Sequence, residues 1–251
     1  FGGSAPPELV SQIEACVSRL EAEKAVVTKV ALPASVEKFT AKASYLDHVR
    51  RLLDPDLLKN FKERIVFDVM HGSAQGYPTE LAATYGLNLS EVRNSYNPVF
   101  GGVNPEPIEK NLDALRQAVR EQNAWIGLAT DGDGDRIGAI DADGRYITPY
   151  QIFCLLMKYL VEKRGLRGTV VQTLTFSEQV KRLAEKYGLP MRQTPVGFKY
   201  VAELMVKEDI LIGGEESGGL SVKGYIPERD GILLGFLLIE TAAAYGKTLG
   251  Q

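Results

Sequence analysis

At 251 residues the chain is long enough for one large domain or two of ordinary size, with a sizeable core. Hydrophobic residues make up 45% and charged residues 24%, an ordinary globular balance, and a net charge of −3 argues against a general nucleic-acid binder, which would carry a basic face. The richest apolar run, 152–161, is interrupted by Lys158 and is too short to cross a bilayer, so neither nucleic acid nor membrane is an expected partner and a cytoplasmic protein is expected.

Phe1 opens the sequence where a methionine would stand, and Gly2, Gly3 and Ser4 follow, which reads as a start in mid-chain. From Pro6 and Pro7 a helix is expected, with Leu9, Val10, Ile13, Val17 and Leu20 at helical spacing. The apolar stretch 26–32, ended by Pro33, carries no recognisable chemistry. Residues 38–53 are amphipathic, and Asp54-Pro55 punctuates them before a second short helix to about Lys62. Cys16 and Cys154 stand inside apolar helical patterns without metal-ligand spacing, so both are expected to be buried thiols in a reducing compartment.

Residues 65–69 form a compact apolar run of strand length, followed by the loop 71–76 and a helix over 78–85, the opening of an α/β unit. The loop lacks the terminal Gly-Lys-Ser/Thr of a P-loop and the spacing of a dinucleotide fingerprint, and His71 reads as a capping or structural histidine. Residues 94–107, dense in Asn, Gly and Pro, read as an ordered connector. A helix starting at Pro105 is expected to run through Leu112, Leu115 and Val119 to about Gln122.

Two apolar runs of strand length, 125–129 and 137–140, then flank Thr130-Asp131-Gly132-Asp133-Gly134-Asp135-Arg136. Two like charges at ~4 Å repel by roughly 4 kcal/mol at an effective dielectric of about 20, so three converging carboxylates need a cation. Gly132 and Gly134 let the backbone aim alternate side chains at one point, and an oxygen-only donor set suits magnesium. An EF-hand is excluded, because Arg136 stands where its glycine should be and Ala142 where its bidentate glutamate should be. The pattern leaves open a solvated acidic turn, against which Arg136 counts, being placed to grip a phosphate.

The acids at Asp141 and Asp143 read as solvated residues of a turn between short strands. Near Thr148 the pattern changes to a helix over 150–163, which marks a domain boundary. A strand over 169–173 and a helix over 177–187 follow, and Tyr187-Gly188-Leu189 repeats the earlier Tyr85-Gly86-Leu87 at the same place in its unit, which favours two related domains. A strand over 210–212 runs into a loop, 213–219, in which four glycines surround Glu215, Glu216 and Ser217. Glycines carry extra folding entropy, so such a loop points to a carboxylate and a hydroxyl lining a sugar pocket; a flexible acidic hairpin is the alternative. Lys199, after a loop over 194–199, and Arg229, just before a last helix over 232–244, could each offer a positive group to a phosphorylated ligand, although singly each reads as a surface charge.

The loop 130–136 resembles the metal-binding loop of the α-D-phosphohexomutases, the family of phosphoglucomutase and phosphomannomutase. Gly214-Glu215-Glu216-Ser217-Gly218 resembles that family's sugar-binding loop, and Thr194-Pro195-Val196-Gly197 between the two makes the match specific. The resemblance covers nearly the whole chain but only the middle of a four-domain family. It implies an α/β fold: two tandem, related three-layer α/β/α domains with mixed sheets, over 41–147 with the metal loop and 148–251 with the sugar loop, preceded over 1–40 by the remnant of a first domain. Family members carry a catalytic serine in a Thr-Ala-Ser-His-Asn-Pro-type loop of the first domain and an Arg-x-Ser-Gly-Thr phosphate loop in the fourth, and neither string occurs here.

By that resemblance Asp131, Asp133 and Asp135 would hold Mg²⁺, Arg136 would steady the transferring phosphoryl group, and Glu215 and Ser217 would bind sugar hydroxyls. Gly197 and Lys199 would border the substrate, and Arg229 stands where some phosphoglucomutases have a lysine near the reacting groups. The implied reaction interconverts a hexose 1-phosphate and 6-phosphate through an enzyme phosphoserine, with glucose 1,6-bisphosphate as intermediate and activator. The first and fourth domains would come from the same polypeptide, and the fragment alone is expected to be inactive. Phe198 departs from the histidine that some bacterial members have after this glycine, which leaves the sugar preference open and leans towards the phosphoglucomutase type. A non-catalytic sugar-phosphate or magnesium-binding module is the second reading.

Overall fold

Strand side chains alternate between two faces, and the first strand already sorts the layers: Ile65, Phe67 and Val69 join one apolar cluster, Val66 another. The computed structural model describes residues 5–26 and 37–251, so apart from Val26 the apolar stretch expected over 26–32 lies outside the described residues. After α1 (Pro7–Ala22), the first unit comprises α2 (Lys42–Leu52), α3 (Pro55–Asn60), β1 (Ile65–Asp68), α4 (Tyr77–Tyr85), β2 (Leu89–Val92), α5 (Asp113–Glu121), β3 (Ile126–Thr130), β4 (Ile137–Asp141) and β5 (Tyr146–Ile147). Thr148 and Gln151 then form a capping box that starts α6 (Pro149–Glu162). The second unit continues with β6 (Thr169–Thr173), α7 (Glu178–Lys186), β7 (Met191–Thr194), α8 (Phe198–Lys207), β8 (Ile210–Gly214), β9 (Leu220–Val222) and α9 (Gly231–Tyr245).

The two sheets run in the orders β2-β1-β3-β4-β5 and β7-β6-β8-β9. In each, the first strand is central, the next two flank it in parallel, and the fourth returns antiparallel beside the third. This shared plan bears out the two related mixed α/β units expected from the sequence. Gly86 and Gly188, the glycines of the repeated Tyr-Gly-Leu, both take left-handed φ values, +67° and +63°.

Between the sheets lies a shared helix layer. α9 packs on β3, β4, α3, α6 and β9, while α6 packs on β4, β8 and α7, so one apolar cluster runs from Phe67 and Leu128 through Phe236 to Leu211 and Val222. Residues 231–242 of α9 are all buried, as a helix apolar on every side must be. Its one carboxylate, Glu240, is fully buried and accepts hydrogen bonds from Tyr159 Oη (2.7 Å), Arg164 Nη1 (3.2 Å) and the backbone amide of Asp54. α5 covers the far face of the first sheet and α8 that of the second. The units also join along a backbone seam: the Ile137 amide donates to the Gly218 carbonyl (3.1 Å), and Arg136 pairs antiparallel with Gly219.

Four expectations need correction. The helix expected from Pro105 starts at Asp113, because Pro105 and Pro107 lack amide donors and the Pro105 carbonyl is taken by the Gly132 amide (3.0 Å). Cys16 is exposed, since α1 has no buried residue and its apolar face is uncovered among the described residues. Cys154 is half-buried, which still pushes its thiol up to about 11. Asp141 is buried rather than solvated, accepting from Thr248 Oγ1 (3.1 Å) with Arg145 3.7 Å away, while Asp143 is exposed as expected. Among the described residues no helix is long and apolar enough to cross a membrane.

Burial pushes Glu240 up from 4.5 to about 7, against the pull of Tyr159, the Asp54 amide and Arg164. Between those values the unfolded chain releases the proton while the folded chain keeps it, so this contribution to stability, full at low pH, falls as pH rises. Glu240→Gln is expected to flatten the urea-midpoint profile across this window, and an unchanged slope would assign the titration elsewhere. At the seam, Gly218 takes φ +89° and a Cβ there would meet the Ile137 carbonyl oxygen at 2.7 Å, whereas Gly86 faces open space. Gly218→Ala is therefore expected to cost ~2–4 kcal/mol against ~1–2 for Gly86→Ala, at roughly 2–4 °C of melting temperature per kcal/mol. Equal losses in the two melts would mean that the seam yields without strain.

Candidate active site

The acidic loop leaves β3 at Thr130 and enters β4 at Ile137. Asp131 is 3% exposed, and its Oδ1 accepts the backbone amides of Asp135 (2.9 Å) and Arg136 (3.0 Å), which folds the loop back on itself. As a result Asp131, Asp133 and Asp135 each present an oxygen within 4.8 Å of the others. The loop after β1 forms the floor: the Ser73 amide donates to the Gly132 carbonyl (2.9 Å), and a Cβ on Gly72 would meet that oxygen at 2.6 Å. Only glycine fits so close an approach.

Burial pushes the Asp131 carboxyl up to about 7 against its bond from the Arg136 amide, and the charges of Asp135 and Asp133 push the same way. Asp135 is also raised by burial, with Arg229 opposing. Both shifts come first from taking the carboxylates out of water, and the neighbouring acids add to that cost. One Asp135 oxygen, Oδ1, is buried and has no hydrogen-bond partner among the described residues. An oxygen-only trio with an orphaned buried acceptor fits a hard divalent cation.

Arg136 stands beside the trio, with Nε 3.3 Å from Asp131 Oδ2 and Nη1 3.6 Å from Glu106 Oε1. Glu106 belongs to the connector 94–107, which therefore braces the loop as well as linking elements; nothing in the sequence singled this residue out. His71, at φ +57°, has Nδ1 2.8 Å from the Ser95 carbonyl and ties down the same connector, a structural role as expected.

The second loop leaves β8. Glu215 is 8% exposed; its Oε1 accepts from Ser217 Oγ (2.9 Å) and its amide donates to the Gly219 carbonyl (3.0 Å). Glu216 turns away to Thr173 Oγ1 (2.9 Å). Arg229 spans both loops: Nη2 lies 2.6 Å from Asp135 Oδ2 and Nη1 donates to Glu215 Oε1 (3.2 Å). Its guanidinium carbon sits 5.5 Å from the centre of the Phe198 ring, within cation–π range.

Behind Arg229, Asp230 caps α9 by accepting the Leu233 amide (2.8 Å) and also accepts from Tyr45 Oη (2.9 Å) and Tyr225 Oη (2.6 Å). The Gly231 amide donates to the Gly134 carbonyl (3.0 Å), so the start of α9 is pinned to the acidic loop. Asp230 was open to sequence reasoning as an N-cap before an apolar helix, but the tyrosines carried no signal. Tyr45, Tyr77 and Tyr225 line a cleft of about 350 Å³ with Asp133, Asp135 and Arg229. Gly197 precedes α8 at φ +122°, next to Phe198. Lys199 is set apart, over the Tyr200 ring and in a groove with Pro6, Pro7 and Glu203.

Residues 43–144 match the family model of phosphoglucomutase/phosphomannomutase alpha/beta/alpha domain II, and 148–251 that of domain III. A phosphoglucosamine mutase of Bacillus velezensis is 34% identical over 214 residues, 85% of this chain and 47% of that protein. A crystal structure from Thermus thermophilus, provisionally named a phosphomannomutase, superposes with a TM-score of 0.90 at 34% identity, over 99% of this chain and 56% of that one. An Aspergillus fumigatus N-acetylphosphoglucosamine mutase, solved with GlcNAc-6P and magnesium, shares the fold at a TM-score of 0.63 and 16% identity, over 82% of this chain and 52% of that one. The chain spans about half the length of the relatives it matches. Two family models end to end, over a site assembled from one loop of each matched region, establish that the chain belongs to the α-D-phosphohexomutase family, of which it holds the central domains II and III.

Proposed function

We propose that the chain is the metal- and sugar-binding centre of a phosphohexomutase that interconverts hexose 1-phosphates and 6-phosphates. The observation that carries this reading is the meeting of the acidic loop and the Glu215–Ser217 loop at one end of the two sheets, backbone to backbone, with Arg229 in contact with both. Asp131, Asp133 and Asp135 would hold magnesium, which when bound offsets the charge on transferring phosphoryl oxygens. Arg136, steadied by Asp131 and Glu106, directs its remaining donors at a phosphoryl group. Glu215 accepts from a sugar hydroxyl, and Ser217 holds the Glu215 carboxylate in place.

In the full polypeptide a serine phosphate of the first domain passes its phosphoryl group to the free hydroxyl of the sugar phosphate: the serine O–P bond breaks as the sugar O–P bond forms, and the hydroxyl proton ends on the freed serine oxygen. The resulting bisphosphate, glucose 1,6-bisphosphate in the glucose case, turns over and returns its other phosphate to the serine. The uncovered face of α1, formed by Leu9, Ile13, Val17 and Leu20, is where the core of that first domain would continue. Without it the chain binds but does not turn over substrate.

Asp133→Asn leaves the fold untouched, since Asp133 makes none of the amide bonds that shape the loop. It is expected to weaken Mg²⁺ binding to this chain by about 10–100-fold in calorimetry, the scale of losses at perturbed metal sites. In the polypeptide that includes the serine loop, glucose 1-phosphate turnover primed with glucose 1,6-bisphosphate should fall at least as far. Undiminished turnover would overturn the metal assignment.

A further inference from the structure

Arg229 has a geometry that serves neither loop alone. Its two terminal nitrogens hold carboxylates on different loops, Asp135 at 2.6 Å and Glu215 at 3.2 Å, each of which a ligand would need. The backbone behind it is fixed by Asp230, gripped by Tyr45 and Tyr225, and by the bond from the Gly231 amide to Gly134. Freedom to move is therefore left to the side chain, which lies against Phe198.

We propose that Arg229 is an electrostatic latch, closed between Asp135 and Glu215, which a divalent cation at the acidic loop and a hexose phosphate at the Glu215 loop open jointly, so that the two bind with positive linkage. This rests on the reading of the two loops given above. A cation drawn to Asp135 takes up the negative charge that holds Arg229 and repels the guanidinium, which frees its fork for the phosphate of the sugar. A sugar phosphate, in turn, attracts the guanidinium away from Asp135 and restores that carboxylate to the cation. Because linkage is reciprocal, each ligand must tighten the other by the same factor. Arginine meets the two carboxylates with separate terminal nitrogens of a rigid planar fork, whereas a lysine ammonium would have to hold both from a single nitrogen and loses that fixed geometry.

The test is calorimetry on the whole 251-residue chain, titrating Mg²⁺ with and without saturating glucose 1-phosphate, and the reverse. Each affinity is expected to rise about 5–20-fold in the presence of the other ligand, within the usual range of coupling factors. In Arg229→Lys the factor should fall to within about twofold of one, with both ligands still bound. Chelation of Mg²⁺ by the sugar phosphate in solution would survive that substitution, so a factor that persists in Arg229→Lys overturns the latch. Phe198→Leu, which keeps every charge but removes the ring under the guanidinium, should give an intermediate factor, and it serves if Arg229→Lys fails to fold. Equal affinities with and without the second ligand in the parent chain overturn the latch while leaving the two sites standing. No binding of either ligand overturns the reading of the loops and the latch with it.

Discussion

Three carboxylates within 4.8 Å of one another repel, and the rest of the site is the set of groups that tolerate this repulsion. Two backbone amides are turned onto Asp131, Arg136 lies against it, and Arg229 is brought from another unit onto Asp135. Even so, burial leaves Asp131 and Asp135 raised, so the cost of keeping these acids ionised out of water is only partly offset by the groups around them.

The fold meets this demand by bracing the acidic loop on three sides. Its floor is the glycine-tight turn after β1, its side is the connector through Pro105 and Glu106, and its roof is the start of α9. α9 can act as a roof because it is buried between the sheets and its N-terminus is clamped by Asp230 and two tyrosines. A residue on the helix's leading edge, Arg229, then has a fixed base from which to reach both loops. Precise placement of charge comes from packing, with the apolar length of α9 as the anchor.

Strand and helix identities were legible where a local pattern carried them: the apolar runs around 65–69, 125–129 and 169–173, the glycine caps at 86 and 188, and the proline starts at Pro7, Pro55 and Pro78, though not the one expected at Pro105. The acidic trio was legible because chemistry restricts so dense a run of acids. What stayed hidden depends on distant partners. β2 is a half-buried edge strand without an apolar run of its own, Asp141 is buried by Thr248 from the far end of the chain, and α1 has a helical pattern whose apolar face nothing among the described residues covers. Phe198 and Arg229 show the same limit from the other side. Taken separately, Phe198 left the sugar preference open and Arg229 pointed to the reacting groups, whereas in three dimensions the guanidinium lies over the Phe198 ring.

The duplication adds a last constraint. Both functional loops are the same element of the repeated unit, the hairpin between its third and fourth strands: β3 to β4 carries the three aspartates, and β8 to β9 carries Glu215 and Ser217. The seam joins these equivalent hairpins to each other, with Arg136 and Ile137 facing Gly219 and Gly218. One unit thus supplies three clustered acids and the other a carboxylate and a hydroxyl, while a shared helix layer packs between the two sheets. The side chains of the two loops differ, but the seam requires glycine at 218, because a Cβ there would collide with the Ile137 carbonyl of the other unit. The glycines that looked like an entropic cost in the sequence are what allow two copies of one hairpin to approach closely enough to share a single arginine.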